Sequence, residues 1–187
     1  MIKLTTPIDI EQLKTLKAGD VVLLSGTIYT GRDAAHKRLC QMIDNGTELP
    51  FNINNSVIYY VGPTPAKEGQ VIGSCGPTSS YRMDAYTEPL LKKGLKVMIG
   101  KGPRSQELKD LLKKYQAVYL SAIGGAAALI SQSVTQNTPV AFEDLGAEAI
   151  RKLEVKDFYA VVTYDIYGGD LLCDGIKRYE KDINKNI

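Results

Sequence analysis

The amino-acid sequence predicts a mixed α/β domain. Short apolar runs typical of buried strands alternate with longer segments whose apolar residues follow a helical period. Two regions break this alternation, because strand-like runs follow one another there with only a short connection. The 187 residues, 44% of them hydrophobic, are enough to form a core, and we expect residues 1–187 to be a single domain. The sheet is therefore expected to mix parallel and antiparallel strands.

In the first half of the chain, strands are predicted at residues 2–5, 21–24, 57–61 and 71–72, the last two resembling a hairpin. Asp9 is a suitable N-cap for a helix that ends before Gly19. The sequence Thr-Gly-Arg-Asp at residues 30–33 follows a small-residue turn and fits a capping box. It predicts a second helix that ends near Asn45.

In the second half, strands are predicted at residues 97–99, 118–120, 140–142 and 158–164. A helix is expected from Tyr81, kinked or divided at Pro89, and another follows the N-cap Ser105. Short helices are expected at residues 126–130 and near Ile150. A turn is expected at residues 168–169, and the Lys/Asp/Asn-rich end of the sequence is expected to fray.

Composition narrows the possible functions. The net charge is only +2, which argues against nucleic acid or a membrane surface as partner. Cys40, Cys75 and Cys173 are widely spaced and match neither a disulfide framework nor a zinc or iron–sulfur motif, so we expect no metal site on this chain. Reduced thiols, without a signal peptide or a membrane-spanning run, predict a cytoplasmic protein.

The first candidate site lies in residues 23–39, LLSGTIYTGRDAAHKRL. Arg32 and His36, the only histidine, are four residues apart and share one face of the predicted helix. An arginine fork suits a carboxylate, and a histidine on the same face exchanges protons near neutral pH. The alternative is a surface cation beside a structural histidine, and for a lone histidine that alternative is favoured.

Two further candidates follow later strands. Thr78 and Arg82 repeat the four-residue spacing where backbone N–H groups at a helix start favour anions. A plain N-cap and a surface ion pair explain them equally well. Lys101 lies between two glycines, which allow close approach by a ligand, or else form a tight turn with a solvated lysine. No serine or threonine follows Lys101, so a phosphate-binding P-loop is excluded.

Together these side chains indicate an anion site. Three cations and a hydroxyl follow successive predicted strands, at the ends where open α/β sheets bind ligands. This set favours a small anion with at least two carboxylates. The turn at residues 124–125 is a weaker candidate, and Ser25 lacks the G-x-S-x-G motif of a hydrolase. No cofactor fingerprint accompanies the set, so a half-site completed by a partner is a serious possibility.

Four segments resemble a known family: SGTIYTGRDAAHKRL, GPTSSYRMD, IGKG and the turn at residues 124–126. In this order they are similar to the β subunit of the class I iron–sulfur hydro-lyases, which are the class I fumarate hydratases and L-tartrate dehydratases. The likeness covers nearly the whole chain, and its first two segments are long and specific. It implies a swivelling β/β/α domain, equivalent to the C-terminal domain of single-chain members.

The resemblance also implies roles for the candidate residues. Arg32, Arg82 and Lys101 match the substrate-binding cations, Thr78 matches the catalytic threonine, and His36 matches a histidine that is active in some members. A [4Fe-4S] cluster is implied on the α subunit, held by three cysteines absent from this chain. Accordingly no cofactor-binding or metal-binding residue is expected here.

The implied reaction is the reversible hydration of fumarate to L-malate. The resemblance implies that this chain acts with its α subunit, in a dimer of αβ units. Two alternatives remain open from the sequence. One is the β subunit of L-tartrate dehydratase, and the other is a carboxylate-binding module without catalysis.

Overall fold

The computed structural model describes residues 1–183; residues 184–187 lie outside the described part. The strands are β1 (Ile2–Thr5), β2 (Val21–Thr30), β3 (Val57–Tyr59), β4 (Val97–Gly100), β5 (Val118–Ser121), β6 (Val134–Ala141) and β7 (Ile150–Tyr164). The helices are α1 (Ile10–Lys14), α2 (Asp33–Asp44), α3 (Asp84–Lys92), α4 (Gln106–Tyr115), α5 (Ala127–Ser131) and α6 (Leu171–Ile183), with 3-10 helices at Ser80–Met83 and Glu143–Glu148. Within residues 1–183, none of these helices is long and apolar enough to cross a membrane.

The seven strands form one sheet that closes into a small barrel. The two longest strands, β2 and β7, pair antiparallel along most of their length. On its other edge β2 pairs with β1 and then with β3, while β7 pairs with β6 and then with β5. The parallel series β2-β3-β4-β5 connects these two strands and closes the ring. The prediction of a mixed α/β fold is confirmed.

Alternate residues of the central strands face two different hydrophobic cores. On β3, Val57 and Tyr59 belong to the core inside the closed sheet, whereas Ile58 belongs to the core under the helices. Strands β4 and β5 divide their residues in the same way. Both faces are buried, which explains why these strands read as continuous apolar runs in the sequence.

The region around residues 25–33 differs from the prediction. The expected turn after Leu24 is absent: β2 continues through Gly26 with a bulge that preserves its pairing with β7. The predicted capping box is also wrong, because the N-cap of α2 is Arg32 and no side chain caps it. The hydroxyl of Thr30 instead donates to the Ala149 carbonyl and accepts from the Arg151 N–H.

Two other predicted elements were wrong. Residues 71–72 form no strand; the chain between β3 and Thr78 instead makes an isolated bridge between Val61 and Pro77. The helix expected near Ile150 is the 3-10 helix Glu143–Glu148, and Ile150 begins β7. Part of the end that is expected to fray is helical, in α6 as far as Ile183, and its last residues, 184–187, lie outside the described part. Pro89 neither divides α3 nor ends it. The N-caps at Asp9 and Ser105 are confirmed.

A buried ion pair joins the starts of α3 and α4. The Arg104 side chain is 0% exposed, and its Nε donates to Oδ1 of Asp84 over 2.5 Å. The second oxygen of Asp84 accepts the backbone N–H of Ser105 at 2.8 Å. The Arg104 guanidinium also lies over the rings of Tyr60 and Tyr119. These contacts fix the loop that follows β4.

We expect Asp84→Asn to lower the free energy of unfolding by about 3 kcal/mol, because it leaves the buried Arg104 charge without its counterion. Denaturant unfolding followed by circular dichroism measures the loss. Glu11→Gln, which breaks an exposed ion pair with Lys14, is the matched control and should leave the transition midpoint unchanged. Equal midpoints for both variants would contradict this role of the Arg104–Asp84 pair.

Candidate functional site

The predicted site residues follow the carboxyl ends of parallel strands. Because β2, β3 and β4 run in the same direction, their ends meet at one edge of the sheet. Arg32 follows β2, and Lys101 follows β4. The loop after β3 returns to this edge, where the Thr78 N–H donates to the Tyr60 carbonyl at 2.8 Å.

Backbone pairing attaches Lys101 to the loop that carries Thr78. The Ser80 N–H donates to the Lys101 carbonyl at 3.0 Å, and the Lys101 N–H donates to Oγ of Ser80 at 3.0 Å. A Cβ atom on Gly100 would lie 1.9 Å from Oγ of Ser80, so this close approach requires glycine. The Tyr119 hydroxyl donates to the same Ser80 oxygen at 2.9 Å. Lys101 itself is exposed.

Arg82 contacts Thr78 directly. Its Nη2 atom donates to Oγ1 of Thr78 at 2.7 Å, across one turn of the 3-10 helix that begins at Ser80. The threonine oxygen therefore accepts from a cation, while its own hydroxyl hydrogen stays available. A charge-assisted hydrogen bond of this kind favours a more negative oxygen.

Asp33 lies between the two arginines. Its Oδ1 is 3.7 Å from Nε of Arg32, and its Oδ2 is 3.6 Å from Nη1 of Arg82. Both distances exceed those of charge-assisted hydrogen bonds. Oδ1 of Asp33 and the Nε atoms of both arginines are buried and have no hydrogen-bond partner within residues 1–183. Buried polar groups are normally paired, so three such atoms together indicate a place for water or a polar ligand.

A second carboxylate reaches Arg32 from the far end of the chain. Oε1 of Glu148 lies 3.2 Å from Nη2 of Arg32, and both side chains are about three-quarters buried. The other side of the guanidinium packs against Gly62, where an added Cβ would lie 3.0 Å from Nη1. Arg32 therefore occupies a narrow slot between the loop after β3 and the start of β7.

His36 is fully buried one turn into α2. Its Nδ1 donates to the Arg32 carbonyl at 2.8 Å, which leaves Nε2 as the unprotonated nitrogen, buried and unpartnered among the described residues. Burial lowers the pKa of His36 to about 4, although the hydrogen bond to Arg32 opposes this change. The imidazole is therefore neutral at pH 7, and it holds the backbone that carries Arg32.

The described residues do not fit a metal or an iron–sulfur cluster. Within residues 1–183, no three His, Cys, Asp or Glu side chains lie where they could hold a metal ion together. Cys40 lies in α2, Cys75 in the loop before Thr78, and Cys173 in α6. Burial raises the pKa of Cys75 to about 11, so its thiol stays protonated, whereas metal binding needs a thiolate.

Comparison with known proteins assigns the chain to a family. Residues 1–175 match the family model described as Fumarase C-terminus. The chain belongs to the fumarase C-terminus family. The resemblance inferred from four sequence segments is thereby confirmed.

Several curated relatives are members of the same family. Fumarate hydratase 2 of Leishmania major is 41% identical over 174 residues, which cover 91% of this chain and 31% of that protein. The aerobic class I fumarate hydratase of Escherichia coli K12 is 43% identical over 161 residues, 85% of this chain and 29% of that protein. The chain thus spans about a third of the length of these two relatives.

One relative matches over nearly its full length. The putative L(+)-tartrate dehydratase subunit beta of Methanocaldococcus jannaschii is 38% identical over 183 residues. The match covers 95% of this chain and 94% of that protein. The relatives of this chain thus include a protein that is named as a separate subunit.

The structure brings four of the five predicted residues to one edge of the sheet: Arg32, Thr78, Arg82 and Lys101. His36 is instead buried, and it contributes to this edge only through its hydrogen bond to the Arg32 carbonyl. Sequence reasoning missed the two carboxylates, Asp33 and Glu148. Asp33 adjoins Arg32 in the sequence, and an acid between cations could have been noticed. Glu148 belongs to no motif, and only the pairing of β2 with β7 brings it close to Arg32.

We expect the stability of the protein to fall as the pH is lowered from about 6.5 to about 4. The unfolded chain binds a proton at His36 over this range, but the folded chain does not, so each pH unit costs about 1.4 kcal/mol. In His36→Asn the amide retains a donor for the Arg32 carbonyl but does not titrate. Urea unfolding at several pH values should show a shallower pH dependence for this variant. Equal slopes for both proteins would contradict a buried, neutral His36.

Proposed function

We propose that this chain is the β subunit of a class I hydro-lyase, most favourably a fumarate hydratase that interconverts fumarate and L-malate. One observation carries the proposal: Arg82, which donates to the Thr78 hydroxyl, lies at the same edge of the sheet as Arg32 and Lys101. The family assignment and the fumarate hydratase relatives support the same reaction. The roles of individual residues are part of this proposal.

The cations bind the two carboxylates of the substrate. Arg32 has a fork-shaped guanidinium whose Nε lacks a partner among the described residues, and a fork suits bidentate binding of a carboxylate. Lys101 supplies an exposed point charge at the end of the neighbouring strand. Fixed positive charge also stabilises the negative charge that develops on a carboxylate when the adjacent carbon loses its proton.

Thr78 moves the proton on carbon. In the hydration direction, the elements of water add across the double bond, with hydroxide joining one carbon and a proton joining the other. The Thr78 hydroxyl is suited to deliver this proton, since its own hydrogen is free while Arg82 donates to its oxygen. Arg82 then stabilises the negative oxygen that remains until a proton returns. In the reverse direction the same oxygen accepts the proton.

His36 acts as a positioning residue in this proposal. The sequence leaves both a catalytic role and a structural role open for this histidine. A buried imidazole whose pKa is about 4 and whose one N–H donates to the Arg32 carbonyl is poorly placed to exchange protons with a substrate. It is well placed to hold Arg32 in its slot.

The remaining parts of the active site belong to a partner. We propose an α subunit that holds the [4Fe-4S] cluster, because the cysteines of this chain are dispersed over three segments and do not fit one. The full-length match to a subunit beta supports a two-chain arrangement. A dimer of αβ units, membership of residues 1–187 as a single domain in the swivelling β/β/α fold class, and a cytoplasmic location are further predictions.

Tartrate is the second candidate substrate, and the relative that matches nearly end to end favours it. L-Tartrate carries two carboxylates like malate and one more hydroxyl group. The described site offers the same cations to either dianion. Substrate choice therefore depends on groups that contact the extra hydroxyl. The third candidate function is that of a carboxylate-binding module without catalysis.

The deciding experiment is anaerobic co-expression with the α subunit, followed by assays of the purified complex with fumarate, L-malate and L-tartrate. We expect turnover by the complex and none by this chain alone. Turnover of L-tartrate alone would select the second candidate. If an assembled complex with an intact cluster spectrum turns over none of the three, the hydro-lyase proposal fails.

Within an active complex, Thr78→Val should lower kcat by about a hundredfold or more, because it removes the hydroxyl but nearly retains the shape. Thr78→Ser is the matched variant and should keep most of the activity. Both complexes should assemble and show the cluster spectrum of the parent protein. Comparable kcat values for the valine and serine variants would exclude Thr78 as the proton donor.

A further inference from the structure

The two carboxylates beside Arg32 differ in how firmly they are held. Asp33 is the first residue of α2, so the helix fixes its position. Glu148 ends a 3-10 helix in which no residue is buried and Gly146 has a non-helical conformation. The backbone immediately after it is anchored through the Ala149 carbonyl, which accepts from Thr30. Rotation of the Glu148 side chain about its own bonds therefore leaves β7 in place.

A cavity lies next to the segment that carries Glu148. It measures about 480 Å³, lies between the 3-10 helix Glu143–Glu148 and the loop after β3, and is lined in part by Ala147 and Ala149, the residues on either side of Glu148, and by the cation Arg151. Asp144 keeps the middle of this 3-10 helix attached to α2, because Arg38 donates to both of its carboxylate oxygens. The segment thus stays in place while its last side chain changes partner.

Charge decides which carboxylate must leave when a ligand binds. Arg32, Arg82 and Lys101 are three cations, and Asp33 with Glu148 are two anions, which together leave one net positive charge at this edge. A dicarboxylate carries two negative charges. Adding it beside both acids would give a net negative site, and like charges in a half-buried site repel strongly. With Glu148 turned away, two net positive charges remain, which balance the ligand.

We infer that Glu148 takes the place of a substrate carboxylate: it pairs with Arg32 in the free protein and is displaced when a dicarboxylate binds. The inference rests on the proposed function, since it takes Arg32 as a carboxylate-binding residue. Glu148 thereby sets the affinity of the site, because only the fraction of molecules with Arg32 released binds ligand. It also keeps Arg32 oriented while the site holds no substrate.

Glu148→Gln tests this inference in the reconstituted complex. The variant removes the competing charge, so KM for fumarate and the inhibition constant of succinate, an unreactive dicarboxylate, should both fall about three- to tenfold. Both constants should also depend more steeply on ionic strength, since the site gains one positive charge. Glu11→Gln, which removes an exposed acid on α1 that does not line this cavity, is the control and should change neither constant.

Unchanged or raised constants in Glu148→Gln would overturn the inference, and raised ones would make Glu148 a permanent support of Arg32. Glu148→Asp is a second variant, in which the shortened carboxylate reaches Arg32 less well; it should shift both constants in the same direction by a smaller factor. Failure of the proposed function is distinguishable, because the parent complex would then lack turnover. Succinate binding to the full chain, followed by calorimetry in the parent and both variants, still tests Glu148 in that case.

Discussion

The antiparallel pairing of β2 with β7 is the constraint on which the rest of the structure depends. It closes the sheet, and it holds residues more than a hundred positions apart in one register. Thr30, at the end of β2, binds both the carbonyl of Ala149 and the N–H of Arg151. Arg32 and Glu148 lie just beyond this contact on their respective segments. The same pairing that completes the barrel therefore brings a cation and its internal carboxylate together.

The fold could be predicted from the sequence where local chemistry decides it. Asp9 and Ser105 cap helices because their side chains accept N–H groups three residues onward. The strands β4 and β5 were found because both of their faces are buried. The extent of β2 and β7 could not be predicted, since a glycine at a bulge and a run of charged residues both resemble loop. Their conformation is imposed by partners distant in sequence.

The cations of the candidate site could be predicted from the sequence, but its two carboxylates, Asp33 and Glu148, could not. Arg32 and Lys101 follow strands that could be recognised, and parallel strands end at one edge. Thr78 and Arg82 follow no strand directly; they reach this edge because the loop after β3 returns to it. The state of His36 was beyond sequence reasoning, because the pKa of an imidazole depends on burial and on one hydrogen bond. Glu148 was hidden for the opposite reason. Its charge is ordinary for a glutamate, and only the folded structure shows that it lies beside Arg32.

The closed sheet leaves β1 and β6 as the strands with a single partner in the described chain. Such edges are sites where a foreign strand could add and start aggregation. On β6 this is impeded by Pro139, which has no N–H to donate, and β1 offers only four residues. Both edges of the sheet are therefore protected against the addition of a foreign strand, one by a proline and the other by its short length.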